Sequence, residues 1–400
     1  AGSTKEGILA LNQTNTTDLT ITQTTGSIEG NTTGITAINQ GSGSTTINSA
    51  GIIKGNSAEG IYVDALANAT TTINLNANSD VSSASGVAIK ETLSNTTLTM
   101  NSGSKLAGKV LLNDGNDSII INGGANITGV TLLDGGDDVS IADGYIDRLQ
   151  ISNAGTVSFG SSSLTNWEKI TLDATTLTLT DNNLTVGSDT GYGVFLTHGS
   201  ELNAAGTLNL TGNVDIDTTS TLSYGQGGNI VGNVRNAGKM LWKNTTAGKV
   251  LAITGDYAGV AGSLLAINSV LGDDSSLSDS MSVSGNTSGQ SSISVTNLGG
   301  LGAQTTSGIK VVQVGGSSGA SFSLANPSQA QAGAYQYLLQ QGDQQGLNTN
   351  NWYLVSTYNC ALNNSCPTPV TPVTPVTPVT PTIPIYRPGI ADYVLGQKIN

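Results

Sequence analysis

Apolar residues in this chain come in short alternating runs, such as Leu19-Thr20-Ile21-Thr22 and Thr71-Thr72-Ile73-Asn74-Leu75. Alternation with period two is the pattern of a half-buried strand. No window keeps apolar residues at i, i+3, i+4 and i+7 long enough to form a helix. The runs also repeat. Gly7-Ile8-Leu9-Ala10, Gly34-Ile35-Thr36-Ala37, Gly60-Ile61-Tyr62-Val63 and Gly86-Val87-Ala88-Ile89 recur 27, 26 and 26 residues apart. A second apolar marker travels with them: Ile21, Ile47, Ile73 and Leu98, at spacings of 26, 26 and 25. A third aliphatic (Ile28, Ile53, Val81) stands five to seven residues before the next Gly.

A period in this range means one supersecondary unit stacked on copies of itself. Three short strands joined by Gly, Asn and Ser turns cannot pair within one such repeat. They pair with the equivalent strands of the repeats on either side, which predicts an all-β chain wound as a right-handed parallel β-helix. A β-sandwich has no reason to keep a 26-residue period.

From Leu112 the repeat shortens. Leu112-Asn113-Asp114-Gly115-Asn116-Asp117-Ser118-Ile119 matches Leu132-Leu133-Asp134-Gly135-Gly136-Asp137-Asp138-Val139 at a spacing of 20. The simplest reading of this acidic text is that Asp and Asn beside Gly supply left-handed turn positions between strands. Two alternatives are calcium, since Gly-Gly-Asp turns resemble pieces of a Ca²⁺-binding nonapeptide, and paired carboxylates for glycan cleavage within Asp114–Asp143. Two repeats 20 apart do not sandwich ions as nonapeptides do, and the bases near enough to hold a uronate are few: Lys105, Lys109 and Arg148. Residues 181–203 break the spacing and gather Tyr192, Phe195 and His198, which makes them a candidate partner-contact loop. A wide turn packed on its own rung is the plainer account. Gly225-Gln226-Gly227-Gly228-Asn229-Ile230 nearly spells a dinucleotide loop, but no helix follows it.

Composition narrows the functions. The formal charge is −13 and only 10% of residues are charged, so the basic stripe that nucleic acid requires is missing. No apolar run is long enough to span a bilayer as a helix, and Ala1-Gly2-Ser3 lacks a basic region leading into an apolar one. His198 is the single histidine. A Ser-His-Asp triad would have to use it, yet no Gly-x-Ser-x-Gly turn accompanies it. No catalytic, cofactor or metal residues are assigned. Cys360 and Cys366 are the two cysteines, and in an oxidising compartment they can close a small disulfide ring.

From Asp256 the text becomes specific. Tyr257-Ala258-Gly259, Leu271-Gly272-Asp273-Asp274-Ser275-Ser276, Ser278-Asp279, Val283-Ser284-Gly285, Val295-Thr296-Asn297-Leu298-Gly299-Gly300 and Gly308-Ile309-Lys310-Val311-Val312-Gln313-Val314 follow one another. Together they resemble the C-terminal passenger region of pertactin-like autotransporters. Gly333-Ala334-Tyr335-Gln336-Tyr337-Leu338-Leu339 and Asn351-Trp352-Tyr353-Leu354-Val355-Ser356 resemble the β-hairpin that ends it. The resemblance implies type V secretion: export through the protein's own C-terminal translocator barrel, with this last segment acting as an autochaperone. Tyr335, Tyr337 and Leu339 would share one strand face opposite Trp352 and Leu354, a small core covering the last open coil edge. The expected domains are therefore a β-helix rod over 1–255, autochaperone-like coils and cap over 256–358, and a Cys loop with a Pro-rich linker over 359–400. Thr-Pro-Val repeats make that linker a semi-rigid polyproline II spacer, and Tyr386-Arg387-Pro388 resembles the entry to a translocator.

The expected protein is a monomeric passenger, displayed on an outer membrane or released after cleavage. Its expected role is that of a non-enzymatic adhesin for a host cell-surface or matrix protein, without membrane insertion of this segment. The alternatives are a released ligand that engages a host receptor and alters signalling, a self-association factor, and a polysaccharide-active enzyme.

Overall fold

The computed structural model describes residues 5–13, 17–326, 330–359 and 382–384, in two units, Ala1–Leu222 and Ser223–Asn400. Among the described residues the one helical element is a single 3-10 turn, Ser161–Ser163. Everything else is strand and turn.

In the first unit three sets of strands stack in parallel. Ile8–Asn12, Ile35–Asn39 and Ile61–Ala65 place Ile8 on Ile35 on Ile61, and Ala10 on Ala37 on Val63. Ser27–Gly30, Ile52–Gly55 and the start of Asp80–Lys90 bring Ile28, Ile53 and Val81 into one file. The third set runs from Leu19–Gln23 to Lys169–Leu179. Its central file is Ile21, Ile47, Ile73, Leu98, Ile119, Leu149 and Ile170, each buried. These files are the periodic markers of the sequence stacked on one another, so each coil buries its apolar face only because the next one covers it. The architecture is a parallel β-helix. Side-chain amides repeat with the same register on the outside. Asn101 Nδ2 donates to Asn76 Oδ1 at 3.1 Å, and Asn122 Nδ2 donates to Asn101 Oδ1 at 3.2 Å.

The glycine marker has a steric cause. A Cβ on Gly34 would lie 2.6 Å from the carbonyl oxygen of Gly60 and 2.8 Å from Ile53 Cγ2, so only glycine allows adjacent coils to close there. Gly86, the fourth copy in the sequence, does not continue this column. Its φ is +83° and a Cβ on it would meet nothing within 4 Å. Ile61 pairs with Ile89 rather than with Val87, and the Gly60 amide bonds to the Val87 carbonyl, which puts Ala88 in the glycine position. The register slips by two residues. Because strand side chains alternate, a slip of two leaves every residue on its original face.

Residues 181–203 are not an irregular insertion. They hold the strands Asn183–Thr185, Gly193–Thr197 and the start of Glu201–Ala204, and two of these pair in parallel with Lys169–Leu179. The irregular spacing comes from lengthened turns between strands that keep their register.

The second unit uses the same construction. Met240, Leu265, Ile293 and Leu324 form one file, and Leu251, Met281 and Val312 form another. The parallel order stops at Ile309–Val314. The next strand beside it, Trp352–Val355, runs antiparallel, and Leu338–Gln341 pairs antiparallel with that strand in turn. A hairpin therefore covers the edge where another coil would add.

Candidate functional site

Two regions carry side chains suited to a role beyond holding coils: the C-terminal cap of the second unit and the Tyr192–His198 segment of the first. In the cap, Leu339 sits opposite Leu354, and Trp352 lies between Val312 and Gln341. Tyr335 belongs to a separate two-residue ladder with Ala332. Tyr337 is buried in a different direction, where its hydroxyl donates to the Gly272 carbonyl at 2.7 Å and accepts the Ala303 N–H at 3.1 Å. The Trp352 ring meets Phe322 edge-on at 5.3 Å, and Phe322 stacks on Tyr257 at 6.1 Å. The aromatic contacts of Trp352 thus reach back along the coils, to rings that the local text of the hairpin does not contain. Trp352 Nε1 also donates to Ser318 Oγ at 3.3 Å.

The acidic motifs of this unit act on the backbone. The Asp274 carboxylate accepts the N–H groups of Thr306, Ser307 and Gly308 at 2.9, 2.9 and 2.8 Å. Asp256 Oδ1 accepts the Asn286 N–H at 2.7 Å. Asp279 accepts from Lys249 and Asn268 at 2.9 and 3.1 Å. Asp256, Asp274 and Asp279 thus each hold a turn about thirty residues away in sequence, whereas Asp273 accepts the Ser275 N–H and hydroxyl within its own turn. Ser356 and Thr305 close the cap reciprocally. The Thr305 N–H donates to Ser356 Oγ at 2.8 Å, and the Ser356 N–H donates to Thr305 Oγ1 at 2.9 Å.

In the first unit, Phe195 lies within the strand Gly193–Thr197, half-buried, with the Lys169 ammonium 4.1 Å above its ring. His198 occupies the turn that follows, with φ 54°. Its backbone N–H donates to Asp217 Oδ2, and its Nδ1 lies 2.6 Å from Asp173 Oδ1. Tyr192 closes the preceding turn, where its N–H bonds to the Asp189 carbonyl. The three residues share one segment, with His198 the most exposed of them.

The acidic stretch from Asp114 to Asp143 separates into two environments. Asp137, Asp138 and Asp143 are exposed, with carboxylate oxygens within 4.8 Å of one another, a donor set that could hold a hard cation. Asp117 is fully buried, which the turn-like text Asp-Gly-Asn-Asp does not foretell. A cavity of about 330 Å³ opens between two coils nearby, lined by Ile127, Thr128, Val130 and Thr156 to Phe159. None of those lining residues is an acid or a histidine, so it offers no general acid or base. Cys360, Cys366 and most of the Pro-rich linker lie outside the described residues. The exception is Thr382–Pro384, which pairs antiparallel with Thr357–Asn359.

Residues 229–339 match the family described as Autochaperone Domain Type 1. The chain is 45% identical over 111 residues to the autotransporter adhesin AIDA-I of Escherichia coli, covering 28% of this chain and 8% of that protein. It is 42% identical over 149 residues to the adhesin BmaC autotransporter of Brucella suis biovar 1 (strain 1330), covering 36% and 4%. It is 39% identical over 147 residues to YdeU of Escherichia coli (strain K12), covering 37% and 30%. The chain spans less than a third of the length of each of these relatives.

Proposed function

We propose that this chain, autotransporter passenger sequence with an autochaperone segment, is the scaffold and contact surface of a non-enzymatic adhesin. Passengers of this class are displayed on the outer membrane or secreted. The observation that carries the reading is the likeness to two proteins named as adhesins, AIDA-I and BmaC. The physical character of the chain supports it. Coils held by files of aliphatic side chains make a rigid scaffold, and binding residues on such a scaffold lie on its exposed turns and strand faces.

The partner we assign is a host cell-surface or matrix protein, contacted through the Tyr192, Phe195 and His198 segment. During export the partner is the protein's own translocator barrel. The cap residues Tyr335, Tyr337, Leu339, Trp352 and Leu354 are assigned to folding, because a stack of mutually dependent coils needs one end that orders by itself. The test is adhesion of a non-adherent bacterial host displaying the full-length passenger, compared with the triple variant Tyr192→Ala, Phe195→Ala, His198→Ala. Point changes are required, since deleting 181–203 would remove strands of the stack. Equal surface display with reduced adhesion supports the assignment. Unchanged adhesion moves the contact elsewhere, and adhesion no better than that of the host without the passenger defeats the adhesin reading.

A further inference from the structure

Four acids of the first unit are withdrawn from water: Glu91, Asp117 and Asp147 are 0% exposed and Glu168 is 1% exposed. Three of them occupy one position, immediately before the stacked strands Ser118–Asn122, Arg148–Phe159 and Lys169–Leu179. They join successive windings by a repeated bond. The Thr96 N–H donates to Asp117 Oδ1 at 2.6 Å, the Asp117 N–H to Asp147 Oδ1 at 2.7 Å, and the Asp147 N–H to Glu168 Oε2. Glu91 closes the series beside Asn95–Met100. Its Oε1 accepts the N–H groups of Leu93 and Ser94 at 2.9 and 2.7 Å and the Ser94 hydroxyl at 2.8 Å.

One oxygen of each carboxyl is used in this way. The other oxygens, Glu91 Oε2, Asp117 Oδ2 and Asp147 Oδ2, are buried without a partner. Among the described residues no cation counts among the groups that act on these carboxyls. Arg148 and Lys169 follow two of the acids in sequence, but Arg148 Nη1 turns back to the Ile146 carbonyl and Lys169 covers the Phe195 ring. The charged groups whose fields reach the column from the adjoining turn, Asp137 and Asp143, are themselves acidic. On the neighbouring strand Tyr62 pairs with Lys90, and Asp64, Glu59 and Glu91 are the charges that act on its hydroxyl. A buried, half-satisfied, unpaired carboxylate is unfavourable, and the neutral acid is the form this site accepts.

We propose that this column is a proton-operated clamp, holding the windings from Glu91 to Glu168 together while its carboxyl groups are neutral and slackening them when they ionise. The inference concerns the first unit alone and does not depend on the adhesin reading. Burial, opposed by the N–H bonds, raises Asp117 to about 9, Asp147 to about 8 and Glu168 to about 7, and it moves Glu91 upward as well. Opening a winding returns these groups to their ordinary values of 3.8 and 4.5 and releases the protons. The opening equilibrium therefore grows as pH rises. The clamp is fully set below those ordinary values and is lost as pH climbs through the raised ones.

Amide hydrogen exchange on the full chain tests this, read at 96–100, 118–122 and 148–152 and corrected for intrinsic exchange. For each carboxyl that is neutral when closed and ionised when open, the opening constant changes about tenfold per pH unit. For Asp117 and Asp147 together it changes about a hundredfold per unit between about pH 5 and about pH 7. Strands 251–253 and 281–283 of the second unit serve as the internal reference. The double variant Asp117→Asn, Asp147→Asn should lose about that hundredfold per unit and keep only the shallower slope that Glu168 and Glu91 contribute. Should it fail to fold, Glu168→Gln alone should reduce the slope below about pH 7 by up to one proton. Protection that is level with pH in the parent chain, or a slope that the Asn or Gln variants leave intact, overturns the clamp.

Discussion

Replacing Trp352 by Ala tests whether the cap holds the second unit. Trp352 is 8% exposed, so nearly the whole indole is withdrawn from water, and its loss opens a cavity at the end of the stack. A buried Trp-to-Ala change costs about 3–5 kcal/mol. The edge-on contact with Phe322 at 5.3 Å belongs to a class of ring pair contributing about 1 kcal/mol beyond area. Against a total of about 5–15 kcal/mol for a domain, such a loss removes a large part of the margin. Trp352→Phe separates the components. It keeps a ring against Phe322 and forfeits the Nε1–H bond to Ser318 Oγ, a change of about 1 kcal/mol. The assay is urea unfolding of the purified passenger followed by protease resistance of the 229–339 segment, beside the amount of passenger on intact cells. The expected order is parent, Phe variant, Ala variant in both measurements, with adhesion per displayed molecule unchanged. An Ala variant that matches the parent in protease resistance and surface amount would refute the folding role of the cap.

Tyr337→Phe removes the hydroxyl that serves the Gly272 carbonyl and the Ala303 N–H. It should destabilise the second unit by about 1–3 kcal/mol without altering its strand content by circular dichroism. Gly34→Ala forces a methyl to within 2.6 Å of the Gly60 carbonyl oxygen and should cost about 1–3 kcal/mol or more in urea titration. Gly86→Ala, with open space but φ +83°, should cost about 1–2 kcal/mol through backbone strain alone. Asp274→Ala withdraws the acceptor shared by three N–H groups. It should speed amide exchange at Thr306, Ser307 and Gly308 while leaving Leu251 to Ile253 protected.

Much of the fold was legible in the text because a coil interacts chiefly with its neighbours. Ile21, Ile47, Ile73 and Leu98 recur at nearly constant spacing, and the structure stacks them in one file. Alternation announced the strands, and the repeating glycines at 7, 34 and 60 fall where a Cβ would meet the backbone of the next coil. The motifs from Tyr257 to Leu339 likewise fall within the residues that match the autochaperone family, 229–339, whereas the bonds that make Asp274 a staple, to Thr306, Ser307 and Gly308, span too much sequence to be read from it.

What the text alone could not decide depends on groups far apart along the chain. Whether Gly86 continues the glycine column depends on a register slip of two residues, and alternation is blind to a slip that preserves the face. Whether 181–203 is a loop or a coil depended on which earlier strand pairs with Gly193–Thr197. The aromatic partner of Trp352 is Phe322, backed by Tyr257, and their separation in sequence leaves no periodic trace. The sharpest case is Asp117. In the text it is one more acid in a turn, beside Asp114 and Asn116. Only the stacking of coils puts its carboxyl in the interior and sets it under the Asp147 staple. A residue's identity determines that it can ionise, and the packing around it determines whether water is present to let it.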